Sequence, residues 1–259
     1  MRVLFIGDVV GPDAVQWLAG RLPVLRSDLG AEVVVVDAEN AGPDGASMTV
    51  ASVQSLLGAG ADVITGGNHA FDGPEAALVL AHERVVRPLN ISAENPGRGA
   101  LTITVHEQEI RVVVLADELA MDWAPPAAHM SEDPYAAWRA LPTGPQTTII
   151  EMHALSVMAK QSLAYALDGQ VAAVLGTHTH EATAALHLLP RGTALVTEVG
   201  MTGPSGGPQG MDPRAVVDRV VGGNPASPTP MGPARGKMVL GAVLLEIEGG
   251  RTRSLQRVA

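Results

Sequence analysis

Five short apolar runs, spread over most of the chain, each lead into a residue type that binds metals or moves protons. Arg2-Val3-Leu4-Phe5-Ile6-Gly7 runs into Asp8, and Val33-Val34-Val35-Val36-Asp37-Ala38 runs into Glu39-Asn40. Asp62-Val63-Ile64-Thr65 leads through Gly66-Gly67 into Asn68-His69, and Thr147-Thr148-Ile149-Ile150-Glu151-Met152 runs into His153. Val171-Ala172-Ala173-Val174-Leu175 is followed by Gly176-Thr177-His178-Thr179-His180. Continuous apolar runs of this length fit strands buried on both faces of a largely parallel sheet. The carboxyl ends of such strands share one edge, where sites collect. Asp8, Glu39, Asn40, Asn68, His69, His153, His178 and His180 are therefore predicted to converge.

Taken singly, each signal is ordinary: an Asp after a first strand is commonly a turn or helix-cap residue. Five strand ends of the same chemical kind make coincidence a minor explanation. In extended backbone, alternate side chains lie on one face, so His178 and His180 are expected to project together as a metal-ligating pair. With Cys 0, the ligands are oxygen and imidazole nitrogen, which excludes thiolate zinc and iron–sulfur centres and leaves Fe, Mn, Zn or Co. Eight residues are too many for one ion. Two ions roughly 3.5 to 4 Å apart, bridged by one carboxylate and a hydroxide, use such a set well, and Glu39 is the best bridge.

Gly7-Asp8-Val9-Val10-Gly11, Glu39-Asn40-Ala41, Gly67-Asn68-His69, Arg87-Pro88-Leu89-Asn90, His153-Ala154, Gly176-Thr177-His178-Thr179-His180 and Gly200-Met201-Thr202-Gly203-Pro204 form an ordered series. It resembles the motif series of the bacterial 2′,3′-cyclic-nucleotide 2′-phosphodiesterases, a branch of the calcineurin-like metallophosphoesterases. The likeness covers about residues 1 to 212. It implies an α/β fold, a four-layer α-β-β-α sandwich of two mixed sheets flanked by helices, with a di-iron site; Mn or Zn is the alternative. Carried over position by position, the resemblance gives Asp8, Glu39, Asn40 and His180 to one ion. It gives Glu39, Asn68, His153 and His178 to the other, with Glu39 shared and His69 beside the site as proton donor. Two departures stand out. Relatives usually carry an acidic residue where this chain has Leu155, and Glu181-Ala182-Thr183-Ala184-Ala185 intervenes where they tend to have Val and then Asp.

The chemistry expected of such a site follows from charge. A phosphodiester repels hydroxide, and hydroxide is scarce at neutral pH. Two cations lower the pKa of bridging water and neutralise the phosphoryl oxygens. In a 2′,3′-cyclic ester the leaving group is a basic ribose alkoxide, which a positioned imidazolium protonates as the bond breaks. The expected product is a nucleoside 3′-phosphate. Phosphomonoesterase activity is the enzymatic alternative, and a metal-binding regulatory protein acting through a partner is the non-enzymatic one.

The other global features narrow the partners. A net charge of -10, from 27 acidic against 17 basic residues, with 3% aromatics, disfavours long polyanions and base-stacking platforms. Small nucleotides or short RNA ends are the expected substrates. Gly7 to Gly11 lacks the full dinucleotide fingerprint, and an acid in that turn repels a pyrophosphate. No apolar stretch approaches the roughly 20 residues of a membrane span. The N-terminus begins directly with a strand, without a signal peptide, so a cytoplasmic location is expected. The interleaved ligands predict a single domain over residues 1–259.

Between the motif strands, Asp13 to Leu29 and Ser156 to Leu167 carry apolar residues at helical spacing: Val15, Leu18, Leu22 and Leu25 in the first, Val157, Leu163 and Leu167 in the second. Met158 and Lys160 are read there as packing and surface residues. Leu101 to Val105 and Ile110 to Leu115 predict an antiparallel hairpin with His106 exposed. A short helix is expected at Pro134 to Leu141. His82, His129 and His187 have no partner motif and are read as structural. The irregular stretches Asp122 to Gln146 and Gly200 to Lys237 are candidates for active-site lids or homo-oligomer contacts, with Met201, Thr202 and Gly203 near the phosphate.

Overall fold

The computed structural model describes residues 1–222 and 230–258; positions 223–229 of the Gly200–Lys237 stretch, and 259, lie outside them. In chain order the strands are β1 (Arg2–Ile6), β2 (Val33–Asp37), β3 (Val63–Thr65), β4 (Val85–Val86), β5 (Ala100–Val105), β6 (Gln108–Ala116) and β7 (Thr147–His153). They continue with β8 (Ala173–Thr177), β9 (His187–Leu188), β10 (Ala194–Val196), β11 (Gly203–Pro204), β12 (Met238–Val239), β13 (Ala242–Glu248) and β14 (Arg251–Val258). One sheet has the order β14-β13-β1-β2-β3-β4 and the other β5-β6-β7-β8-β10-β9, with β11 and β12 forming a small ribbon. β1 to β4 are parallel, as are β6, β7, β8 and β10, while β13, β14, β5 and β9 pair antiparallel with their neighbours.

Alternation along the strands explains the uninterrupted apolar runs. Val3, Phe5, Val33 and Val35 face Val112, Val114, Ile149 and Leu175 of the second sheet in one core layer. Leu4, Ile6, Val34 and Val36 face outward onto Leu18, Val53 and Leu56 from helices Pro12–Ala19 and Val50–Gly58. Val113, Ile150 and Met152 pack outward on Ala137, Leu163 and Ala164 from helices Pro134–Ala140 and Val157–Ala166. Both faces of the central strands are covered, so a polar residue within a run needs a buried partner, as Glu151 finds in Thr177. Each fully buried Val, Leu or Ile stabilises the fold by roughly 1.5–3 kcal/mol. This is the four-layer sandwich that the family resemblance implies.

Several local expectations change. The helical pattern over Asp13 to Leu29 divides into Pro12–Ala19 and Leu22–Leu29, because Gly20 weakens the helix and Pro23 fits only a first turn. The hairpin forms as β5 and β6, and its turn places His106 and Glu107 at φ 47° and 65°, with His106 exposed. The helix Val157–Ala166 is capped by the Ser156 hydroxyl, which accepts from the Ala159 amide at 3.2 Å. Its buried face, however, runs through Lys160, Leu163 and Ala164, while Val157 is exposed. Lys160, expected at the surface, is wholly buried. Among the described residues no helix is long and apolar enough to cross a membrane.

Candidate metal centre

All eight predicted residues meet where the carboxyl ends of the two sheets adjoin. Asp8 follows β1 and accepts a hydrogen bond from the His178 amide, 3.1 Å away after β8. Glu39 follows β2; its Oε2 accepts from the Gly67 amide at 2.8 Å and the His69 amide at 3.4 Å, both beyond β3. Asn68 Oδ1 lies 2.9 Å from His153 Nε2 at the end of β7. The His153 and His178 rings meet edge-on with centroids 4.7 Å apart. Gly67 makes the closeness possible, since a Cβ there would collide with the His153 ring.

The hydrogen-bond pattern defines what the site can hold. Thr177 donates its hydroxyl proton to Glu151 Oε1 at 3.0 Å, so it accepts from His153 Nδ1, 3.1 Å away. That leaves His153 Nε2 as a bare lone pair, facing Asn68 Oδ1 and, at 3.3 Å, Glu39 Oε2. A second convergence repeats the pattern. His180 Nδ1 donates to the Gln209 carbonyl at 2.8 Å, turning a bare Nε2 toward Asn40 Oδ1 at 3.2 Å and Asp8 Oδ1 at 3.7 Å. The Asn40 amide is oriented by its own bond to the Gly45 carbonyl at 2.8 Å. Lone pairs converging without a proton between them are repulsive unless a cation occupies the centre. Asp8 Oδ2 and Asn68 Nδ2 are buried with no hydrogen-bond partner among the described residues.

Ligand atoms of Glu39, His153 and His178 lie within 4.8 Å of one another, as do those of Asp8, Glu39 and His180. Glu39 belongs to both groups. This donor set of carboxylates, amide oxygens and imidazoles fits a metal ion.

A model of the YmdB-like protein family matches residues 4–258. The chain belongs to the YmdB-like family. It is 34% identical over 253 residues, covering 96% of this chain and 92% of the relative, to a Bacillus subtilis protein named 2′,3′-cyclic-nucleotide 2′-phosphodiesterase. Its fold superposes with a TM-score of 0.89 and 35% identity on the crystal structure of a hypothetical protein from Thermus thermophilus, covering 98% of this chain and 97% of that one. A crystal structure described as a novel phosphatase from Mycoplasma pneumoniae superposes with a TM-score of 0.88 at 27% identity, covering 100% and 92%.

In this YmdB-like chain the paired histidines depart from the extended geometry expected of them. His178 and His180 take φ of 91° and 64°, a left-handed region costing L-residues about 1–2 kcal/mol each. The chain turns after β8 instead of continuing, and the two imidazoles separate, one beside His153 and the other beside Asn40. Residues beyond the predicted set complete the surroundings: Asp37, Glu151 and Thr177 behind the histidines, Asp72 on His69, and Gln209 on His180. Gln209 brings the Gly200–Lys237 stretch into the site, and Thr202 pairs with Val9 beside Asp8. Leu155 is exposed, with its amide donating to Asp117.

Burial controls the electrostatics. It pushes Asp8 up to about 6 despite His180, Glu39 up to about 8, and Glu151 up to about 7. Asp37 rises well above its ordinary value through burial and then the charge of Glu151. His178 falls to about 3 by burial and His153 is also lowered well, so both are neutral and ready to ligate. Without metal, the fold holds protons on Glu39 and Glu151 more tightly than the unfolded chain. Their contribution is complete below about 4.5 and is lost as pH rises through about 7 and 8. The lowered histidines act oppositely, but only below their ordinary 6.5. The melting temperature of metal-free protein is therefore expected to fall as pH rises from 6.5 to beyond 8. Divalent metal, which binds the ionised Glu39, should reduce that fall in a thermal-unfolding series.

Proposed function

We propose that the chain is a metal-dependent phosphoric ester hydrolase that opens 2′,3′-cyclic nucleotides to nucleoside 3′-phosphates, working as a single domain in the cytoplasm. The observation that carries this reading is the pair of lone-pair convergences sharing Glu39, in a chain that is 34% identical to a protein named for that activity. Asp8, Glu39, Asn40 and His180 would hold one metal ion, and Glu39, Asn68, His153 and His178 the other. Iron is the proposed metal, with Mn or Zn as alternatives. Bound there, two cations would offset the phosphate's charge and lower the pKa of water.

The protein's own groups supply the rest. His69 Nδ1 lies 2.7 Å from Asp72 Oδ2. Burial disfavours charge on this imidazole, but the Asp72 hydrogen bond and the Glu39 carboxylate outweigh it, and its pKa lies above the ordinary 6.5. That shift favours the charged imidazole, and Asp72 fixes which nitrogen keeps a proton for the 2′ oxygen as its bond to phosphorus breaks. Small cyclic nucleotides and short RNA 3′ ends are the proposed substrates. Chromatography of products from 2′,3′-cyclic AMP against both isomers tests the orientation. The 3′-phosphate is expected; predominant 2′-phosphate would sink it, and activity confined to phosphomonoesters would favour a phosphatase.

A further inference from the structure

We propose that the buried Lys160–Glu198 ion pair is a positioning clamp, holding the turn Thr177–His180 so that His178 and His180 reach separate parts of the metal centre. This rests on the metal-centre reading above. The clamp serves metal affinity more than the stability of the fold.

The turn is the point at which the chain most needs holding. Both histidine ligands of the motif adopt left-handed backbone conformations, which an unconstrained chain would leave for extended ones. Relaxation to an extended strand would return both imidazoles to one face and withdraw one of them from its cluster. The turn is instead tied from outside it. Lys160 Nζ donates to the Thr177 carbonyl at 2.8 Å. Glu198 Oε2 accepts from the Thr179 amide at 3.1 Å and the Thr179 hydroxyl at 2.6 Å. The other oxygen of Glu198 accepts from the Gly200 amide at 3.2 Å, and the Met201 amide closes on the His180 carbonyl at 3.0 Å. Lys160 and Glu198 pair at 3.0 Å, with side-chain exposures of 1% and 4%.

Placement and chemistry both point to a positioning role. Lys160 comes from the helix following His153, and Glu198 from the segment after β10, so the pair ties the turn to two neighbouring strand ends. Gly176 leaves room for the lysine stem, which a Cβ there would strike. Desolvating two charges roughly cancels their attraction, so a site needing only packing would do as well with apolar side chains. What apolar side chains lack is the ability to bond the Thr177 carbonyl and the Thr179 amide.

The test uses the full chain, Mn²⁺ as probe, and two readouts: the Mn²⁺ dissociation constant from calorimetry and the melting temperature of metal-free protein. Lys160→Met/Glu198→Leu leaves the Thr177 carbonyl and the Thr179 and Gly200 amides without their side-chain partners, so the metal-free protein should stay folded with a modestly lower melting temperature, while Mn²⁺ binding weakens roughly 10- to 100-fold. Thr179→Val, which removes one bond to Glu198 at a partly exposed position, should weaken it by up to about tenfold, and Thr179→Ser should restore it. Wild-type affinity in the folded double variant or in Thr179→Val would overturn the clamp. So would a double variant that is unfolded or strongly destabilised without metal, because the pair would then serve the fold. A wild-type protein that binds no Mn²⁺ would instead overturn the metal-centre reading on which the clamp rests.

Discussion

His69→Gln should lower hydrolysis of a 2′,3′-cyclic nucleotide by roughly 100- to 10,000-fold, the usual contribution of a general acid. An aryl phosphodiester should lose far less. The difference lies in the departing oxygen: a ribose alkoxide is strongly basic and needs a proton as it leaves, whereas nitrophenolate departs unaided. His69 suits the task because Asp72 and Glu39 favour its charged imidazole against the opposing effect of burial. Measuring both substrates on one preparation separates this role from metal loss, which would depress them together. Equal losses at unchanged metal content would reassign His69 to phosphate positioning.

Glu39→Ala should deplete total metal more severely than Asp8→Ala. Glu39 joins one group of converging ligand atoms with His153 and His178 and another with Asp8 and His180, while Asp8 joins the second of these and a group with Asp37 and His153. The asymmetry comes from the proposed assignment, in which Glu39 alone serves both ions. Removing Glu39 also frees the Gly67 amide it now accepts from, loosening the turn that carries Asn68 and His69. Elemental analysis of the two folded variants gives the ratio. Full occupancy of both positions in Glu39→Ala would remove Glu39 from the bridge.

The strand ends were legible because burial on both sheet faces keeps polar residues within a run few, so acids and imidazoles stand out where the run stops. That signal found Asp8, Glu39, Asn40, Asn68, His69, His153, His178 and His180, all of which meet in the fold. It extended further than it was used: Glu198 follows β10 in the same manner and lies at the same edge. The charge of Lys160 points to the surface, but its position does not: Lys160, Leu163, Ala164 and Leu167 trace a helical stripe at three- and four-residue spacing. Periodicity assigned a face, and a buried partner allowed the face to include a lysine. The left-handed turn at His178 and His180 had no such signal. Neither residue is a glycine, and the clamping bonds come from residues 17 and 19 positions away in the sequence. Likewise, Asp37 and Glu151 read as ordinary members of their strands, since pairing across the sheet interface depends on register that the sequence leaves open.

Anomalous diffraction from crystals soaked in Mn²⁺ tests the two-metal claim most directly. Two peaks roughly 3.5 to 4 Å apart are predicted, one among Asp8, Asn40 and His180, the other among Asn68, His153 and His178, with Glu39 between them. A single peak, or peaks away from these side chains, would contradict it.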